Sequence, residues 1–109
     1  MIFDYTNKYK KIDPKEVKSW INNNEKFSLV DVRMPEEFLE GHIPGAMLLT
    51  DKSIKVAGEN LLPNKDAKIV VYCLTGRRSR LSAKELIRLG YKNVYDLGGL
   101  LMWPFETTK

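Results

Sequence analysis

The residues best suited to chemistry stand together in the segment Cys-Leu-Thr-Gly-Arg-Arg-Ser at residues 73–79, which holds the only cysteine of the 109-residue chain. We call this segment the cysteine loop. The apolar, largely β-branched run at residues 69–72 predicts a strand buried on both faces. Residues 80–89 follow with apolar side chains at helical spacing, and Gly90 stands where helices commonly end. Cys73 is therefore expected at the end of a strand, in a short loop that opens a helix.

This position offers the thiol an environment that stabilises an anion. A helix N-terminus presents unpaired backbone N–H groups and the positive end of the helix dipole, and two arginines stand beside it. Such surroundings favour a thiolate, so we expect Cys73 to be an accessible nucleophile at neutral pH. The alternative is that a lone cysteine is an inert, buried apolar residue. The neighbouring arginines argue against that alternative.

The other residues of the cysteine loop have separate predicted roles. Gly76 permits a left-handed turn, and Ser79 is predicted as the N-cap of the following helix. Arg78 carries a planar set of donors that suits a tetrahedral oxyanion such as sulfonate, sulfate or phosphate, although Arg77 could serve instead. The predicted substrate-binding residues are Leu74, Thr75, Gly76, Arg77, Arg78 and Ser79.

The cysteine loop resembles the active-site loop of single-domain sulfurtransferases of the rhodanese family, which has the form Cys-x-x-Gly-x-Arg-Ser. Further resemblance covers the chain from about residue 9 to residue 105, in the same order and spacing. Upstream it lies in Leu-Val-Asp-Val-Arg at residues 29–33, Glu-Phe at 37–38 and Gly-His-Ile-Pro-Gly-Ala at 41–46. Downstream it lies in Gly-Tyr at 90–91, Val-Tyr at 94–95, Leu-Gly-Gly at 97–99 and Trp103.

This resemblance implies a rhodanese-type thiosulfate sulfurtransferase. The thiolate of Cys73 would attack the outer sulfur of thiosulfate or a similar donor, and sulfite would leave. Cyanide, a small thiol or a protein cysteine would then accept the sulfur from the Cys73 persulfide. Backbone N–H groups of residues 74–79 would stabilise the persulfide. The resemblance implies no metal or organic cofactor, and we expect neither nucleic acid nor a membrane as partner.

Four polar residues upstream of the cysteine loop are expected near the site in structural roles. Asp31 and Arg33 lie at the end of a predicted strand, where ligand sites gather in parallel sheets. With Glu37, they are interpreted as a charge network beneath the cysteine loop. His42 is the only histidine and a candidate general base. The resemblance implies instead that its turn shapes the next strand, and a thiolate needs no base.

Two other functions stay open. Phosphatases and arsenate reductases of the same fold resemble the chain, but their loop has five residues between cysteine and arginine, whereas four separate Cys73 from Arg78. The shorter loop favours a pocket sized for one sulfur atom. The second alternative is a sulfur carrier or a regulatory binding module. Rhodanese-like domains that have lost catalysis typically lack the cysteine, which this chain keeps.

Size and composition predict one soluble domain. With 43% hydrophobic and 29% charged residues, the chain resembles an ordinary globular protein with a single core. Neither a span of ~20 apolar residues nor a signal-peptide pattern is present, and a single cysteine suits a reducing compartment, so we expect a cytoplasmic protein. The net charge of +4 is interpreted as a solvated surface that steers small anions towards the site.

The alternation of strands and helices predicts an α/β domain over residues 1–109, with a mostly parallel sheet of four to five strands flanked by helices. Asp13 is the expected N-cap of the first helix, with Pro14 at its first position. Gly58 is expected to mark a turn after a weak helix at residues 52–56. Strands are expected at residues 9–12, 27–32, 46–49, 69–72 and 93–97, and the other helices at residues 35–40, 80–89 and 100–103.

Overall fold

The computed structural model describes residues 8–109, which form a five-stranded sheet with helices on both faces. The strand order is β1-β5-β4-β2-β3, and all four strand pairings in this part of the chain are parallel. The predicted α/β class is therefore confirmed. The strands are β1 (Lys10–Lys11), β2 (Ser28–Asp31), β3 (Met47–Leu48), β4 (Lys68–Cys73) and β5 (Asn93–Gly99). The helices are α1 (Pro14–Asn22), α2 (Pro35–Glu40), α3 (Ile54–Leu61) and α4 (Arg77–Arg88), and a 3₁₀ turn covers Leu100–Met102.

Strand β4 lies at the centre of the sheet and is buried on both faces, as its apolar sequence predicts. Ile69, Val71 and Cys73 face the cluster that includes residues of α3 and α4. Val70 and Tyr72 face the opposite cluster, which includes residues of α1. Because α4 follows β4 after a three-residue connection, the cysteine is fixed between a buried strand and the start of a helix.

The first two helices begin at the predicted residues. The side chain of Asp13 accepts a hydrogen bond of 2.9 Å from the Glu16 N–H, which confirms Asp13 as the N-cap of α1. Helix α2 covers residues 35–40, and Gly41 is its C-cap. Within the described residues, no helix is both long enough and apolar enough to cross a membrane.

The turn predicted at Gly58 is wrong, because α3 continues through this glycine to Leu61. Ile54 and Gly58 are its buried residues and lie one helical turn apart. The hydroxyl of Tyr91 donates to the carbonyl oxygens of Gly58 at 3.2 Å and Leu62 at 2.6 Å. Packing of the buried face therefore outweighs the low helix propensity of glycine.

Strand β5 contains a bulge beside the cysteine loop. Val71 pairs with Asp96, but the next residue of β4, Tyr72, pairs with Gly98, so Leu97 is the extra residue. Bulges bend a strand and redirect its side chains. The bulge brings Gly98 and Gly99 against the cysteine loop. The mixed sequence of residues 1–8 predicts an extended lead-in to β1, and residues 1–7 lie outside the described part of the chain.

Candidate active site

The sulfur of Cys73 accepts hydrogen bonds from two backbone N–H groups at the start of α4. Gly76 N lies 3.0 Å from Sγ, and Ser79 N lies 3.3 Å from it. Both donors belong to the positive end of the helix dipole, so they stabilise negative charge on sulfur. The cysteine side chain is fully buried, and the expectation of an accessible thiol is wrong in this conformation because the loop folds over the sulfur.

Helix α4 begins three residues earlier than the sequence predicts, so Ser79 is not its N-cap. Gly76 is the N-cap, with a φ of 102° in the left-handed region, as expected for a glycine at this turn. Ser79 lies in the first turn of the helix, and its hydroxyl donates to Oδ1 of Asp96 at 2.7 Å. The serine side chain therefore points towards β5 and leaves its backbone N–H to the sulfur.

The cysteine loop lies directly on the backbone at the end of β5. A methyl group at Gly99 would stand 2.4 Å from the carbonyl oxygen of Leu74 and 2.8 Å from Cα of Thr75. The Leu101 N–H donates to the same Leu74 oxygen at 3.2 Å. Only glycine at residue 99 leaves room for this approach, so β5 determines the path of the loop.

Arg78 is paired with Glu37 at the outer side of the cysteine loop. Nη1 lies 2.7 Å from Oε1 and Nη2 lies 3.0 Å from Oε2. The two side chains are 31% and 27% exposed. The hydrogen bonds from Arg78 lower the pKa of Glu37 from its ordinary value of 4.5 to about 2. The guanidinium predicted to bind an oxyanion is thus bound to a carboxylate.

Asp31 and Arg33 form a second, separate ion pair. Nε and Nη2 of Arg33 lie 3.0 and 2.7 Å from Oδ1 and Oδ2 of Asp31, and both side chains are buried. Nη2 also donates to the carbonyl oxygen of Gly41 at 2.7 Å. This pair joins the end of β2 to the end of α2. The predicted charge network consists of two pairs, and only the pair that contains Glu37 includes a residue of the cysteine loop.

His42 is held by α2 and by the C-terminal segment. Its ring stacks on Phe38 with centroids 3.7 Å apart, and Nδ1 lies 2.9 Å from the Phe38 carbonyl oxygen. Its backbone exchanges two hydrogen bonds of 2.8 Å with Thr108. None of these contacts involves the cysteine loop, and the turn-shaping role of His42 stays a prediction.

A cavity of about 450 Å³ lies beside the cysteine loop and is lined by residues of α2, the loop and the 3₁₀ turn, among them Glu37, Leu74 and Leu100. The cavity therefore contains Glu37, the partner of Arg78, and Leu74, the residue that follows Cys73. Among residues 8–109, no group of three or more His, Cys, Asp or Glu side chains is arranged to hold a metal ion.

Sequence reasoning missed Asp96, which is buried at 7% exposure and accepts from Ser79 and from the Gly98 N–H at 2.9 Å. Its signal was an acidic residue near the carboxyl end of a predicted parallel strand, where functional side chains gather. Asp31 has the corresponding position at the end of β2.

Comparison with known proteins identifies the family. The rhodanese-like domain model matches residues 13–104. The thiosulfate sulfurtransferase GlpE of Pseudomonas aeruginosa is 33% identical over 98 residues, which are 87% of this chain and 84% of that protein. A structure described as rhodanese with anions from E. coli has a TM-score of 0.73 and 31% identity, covering 77% of this chain and 99% of that one. The chain belongs to the rhodanese-like domain family, as the sequence motifs indicate.

Some relatives are much larger than this chain. The adenylyltransferase and sulfurtransferase UBA4 of Candida albicans is 40% identical over 100 residues, which are 85% of this chain but 23% of that protein. The chain therefore spans about a quarter of the length of the larger curated relatives that it matches.

Proposed function

We propose that the chain is a sulfurtransferase that carries sulfur as a persulfide on Cys73. The observation that carries this proposal is the pair of N–H groups, from Gly76 and Ser79, that donate to Sγ. A sulfur atom with two such donors is prepared to hold negative charge, both as a thiolate and as the leaving group of a persulfide. The names of relatives such as GlpE support the same chemistry.

Thiosulfate is the donor that we propose, since the relative GlpE is a thiosulfate sulfurtransferase by name. The Cys73 thiolate attacks the outer sulfur and forms a new S–S bond. The bond between the two sulfurs of thiosulfate breaks, and its electron pair leaves with sulfite. A cyanide ion, a small thiol or a protein cysteine then attacks the terminal sulfur and returns Cys73 to the thiolate. This two-step route requires ping-pong kinetics and no cofactor.

Arg78 is the proposed contact for the donor's sulfonate group. Its guanidinium is about a third exposed, but it is already paired with the Glu37 carboxylate, which lines the cavity beside the loop. An anionic donor must therefore displace the carboxylate or share the guanidinium with it. Because the sulfur is fully buried, the cysteine loop must also open for the donor to reach Sγ.

The compartment that suits this chemistry is a reducing one such as the cytoplasm, which we propose as the location. The chain has one cysteine, and it reacts only while it is a free thiol.

The test is intact-protein mass spectrometry after exposure to thiosulfate. We expect the parent protein to gain one sulfur atom, localised to Cys73, and to lose it on addition of cyanide. The Cys73→Ser variant is the control and should gain nothing. Hydrolysis of a small aryl phosphate is measured on the same samples. A parent that gains no sulfur but hydrolyses the phosphate would replace this proposal with the phosphatase alternative.

A further inference from the structure

Asp96 is a buried carboxylate that the proposed chemistry leaves without a role. Its side chain lies on β5 at the bulge, and none of the ion pairs found in residues 8–109 includes it. A buried carboxylate is costly unless hydrogen bonds compensate it. Asp96 obtains two on the same oxygen, from the Ser79 hydroxyl at 2.7 Å and from the Gly98 N–H at 2.9 Å.

The two donors to Asp96 connect to the two N–H groups that hold the sulfur. Ser79 donates its own N–H to Sγ at 3.3 Å. Gly98 packs against Gly76, since a methyl group at Gly76 would lie 3.5 Å from Cα of Gly98. Gly76 donates the second N–H to Sγ, at 3.0 Å. One carboxylate oxygen thus binds both the first turn of α4, through Ser79, and the bulge of β5, through Gly98.

We propose that Asp96 is a positioning residue, which acts through Ser79 and Gly98 to keep both N–H groups aimed at Sγ. The acceptor nearest to the Ser79 hydroxyl is the Asp96 carboxylate at 2.7 Å, followed by the carbonyl oxygens of Gly76 at 3.1 Å and Gly98 at 3.4 Å, so the sulfur is held by backbone donors. This inference rests on the proposed role of Cys73 as nucleophile. Asp96 lies on a strand and does not contact the sulfur, but it maintains the environment of the sulfur.

The decisive comparison is between Asp96→Ala and Asp96→Asn. Both variants remove the negative charge, but only asparagine keeps an acceptor oxygen for Ser79 and Gly98. The ultraviolet absorbance of the thiolate against pH is a direct readout, since the chain has one cysteine. We expect the thiolate to form at a higher pH in Asp96→Ala than in Asp96→Asn. Persulfide formation from thiosulfate should be about tenfold slower in the alanine variant.

A matched pair on α4 tests the same inference without changing Asp96. Ser79→Ala should reproduce most of the loss seen in Asp96→Ala. Ser82→Ala is the control, because Ser82 is also buried, stands one turn further along α4, and its hydroxyl has no hydrogen-bond partner among the described residues. It should match the parent in both measurements. The double variant of Ser79 and Asp96 should be no worse than the worse single one.

Folded Asp96→Ala and Asp96→Asn proteins with the same thiolate titration and the same persulfide rate would overturn the inference. Should Asp96→Ala fail to fold in a urea titration, identical behaviour of Ser79→Ala and Ser82→Ala overturns it. The thiolate titration uses no sulfur donor. A parent that forms no persulfide, with the difference in titration intact, therefore rejects the proposed function and supports the positioning role.

Discussion

The two sides of the cysteine loop differ in the interactions that their functional groups make. On the inner side, backbone N–H groups of Gly76 and Ser79 bind a buried sulfur, and their positions depend on Asp96 and on the backbone of β5. On the outer side, Arg78 and Glu37 bind each other, with roughly a third of each side chain exposed. The inner side has fixed partners, whereas the outer side has a charged pair that solvent can reach.

This difference indicates which interactions a substrate can exchange. A buried donor or acceptor that loses its partner costs free energy. Substitutions on the inner side should therefore have large effects on stability and activity. Partly exposed ion pairs contribute little because water screens them. Arg78 can therefore leave Glu37 for an anionic donor at small cost. The predictions below test this contrast, beginning with the inner side.

Removal of the sulfur should have the largest effect. We expect Cys73→Ser to abolish turnover, because the chain has no second cysteine to replace it. Stability should change by no more than about 1 kcal/mol, since the serine oxygen can accept the same N–H groups. Sulfur-transfer assays and urea unfolding measure the two quantities. Residual turnover above that of the heat-denatured protein would show that another group forms the covalent intermediate.

Gly99→Ala should disturb the inner side next most severely. The new methyl group would meet the Leu74 carbonyl oxygen at 2.4 Å, so the loop must move. We expect a loss of about 1–3 kcal/mol in the free energy of unfolding, as for other overpacked sites, and at least about tenfold in sulfur transfer.

The matched control for this variant is Gly58→Ala in α3. A methyl group at Gly58 would lie 3.7 Å from Cγ2 of Ile54, an ordinary contact. Alanine in a helix is favoured over glycine by about 0.5–1 kcal/mol, so this variant should be as stable as the parent or more so. Equal behaviour of the two variants would show that β5 does not determine the path of the loop.

Arg78→Ala should affect one half-reaction more than the other. Loss of a charge-assisted bidentate contact to the sulfonate should slow persulfide formation from thiosulfate by about ten- to a hundredfold. Discharge of a preformed persulfide to a neutral thiol should change much less, because the sulfonate has already left. Rapid-mixing measurements separate the two steps. Arg80→Ala is the control, because Arg80 is an exposed arginine on the same helix. Equal losses in both steps for Arg78→Ala would indicate a collapsed loop.

Much of the fold follows from local sequence. The N-cap at Asp13, the proline-to-glycine limits of α2 and the apolar run of β4 each depend on residues that are neighbours in the chain. The course of α3 through Gly58 and the bulge at Leu97 do not, because the first depends on packing against Tyr91 and the second on pairing with β4. Long-range contacts decide both.

In the candidate site, too, local sequence predicts some features and long-range contacts decide the others. The position of Cys73 before a helix and the need for glycine at residue 76 could be predicted, since both arise within seven consecutive residues. The partner of Arg78 is on α2, and the partner of the Ser79 hydroxyl is on β5. Spacing within the cysteine loop carries no information about either partner, so the sequence predicts an N-cap role for Ser79 that is wrong and cannot show that Arg78 is paired with Glu37.

The smallest expected effect comes from the ion pair between Arg78 and Glu37, which we call the outer pair. It is a dependence of stability on pH. The pKa of Glu37 is lowered from 4.5 to about 2, first by its hydrogen bonds with Arg78. The unfolded chain therefore takes up a proton before the folded protein does. The pair stabilises the fold above about pH 4.5, and this contribution is lost as the pH falls towards 2. Because both partners are partly exposed, we expect it to be at most about 1 kcal/mol.

Glu37→Gln removes this acid-dependent contribution and also releases Arg78. We expect urea unfolding of the variant to lose less stability than that of the parent between about pH 5 and about pH 2. The released guanidinium should lower the KM for thiosulfate, because no carboxylate competes for it. Glu36→Gln is the control, since Glu36 is exposed on the same helix and belongs to none of the ion pairs in the described part of the chain. A Glu37→Gln protein could instead show the parent's dependence of stability on pH and the parent's KM. The outer pair would then neither stabilise the fold nor compete with the donor. The contrast between the two sides of the loop would have no functional meaning.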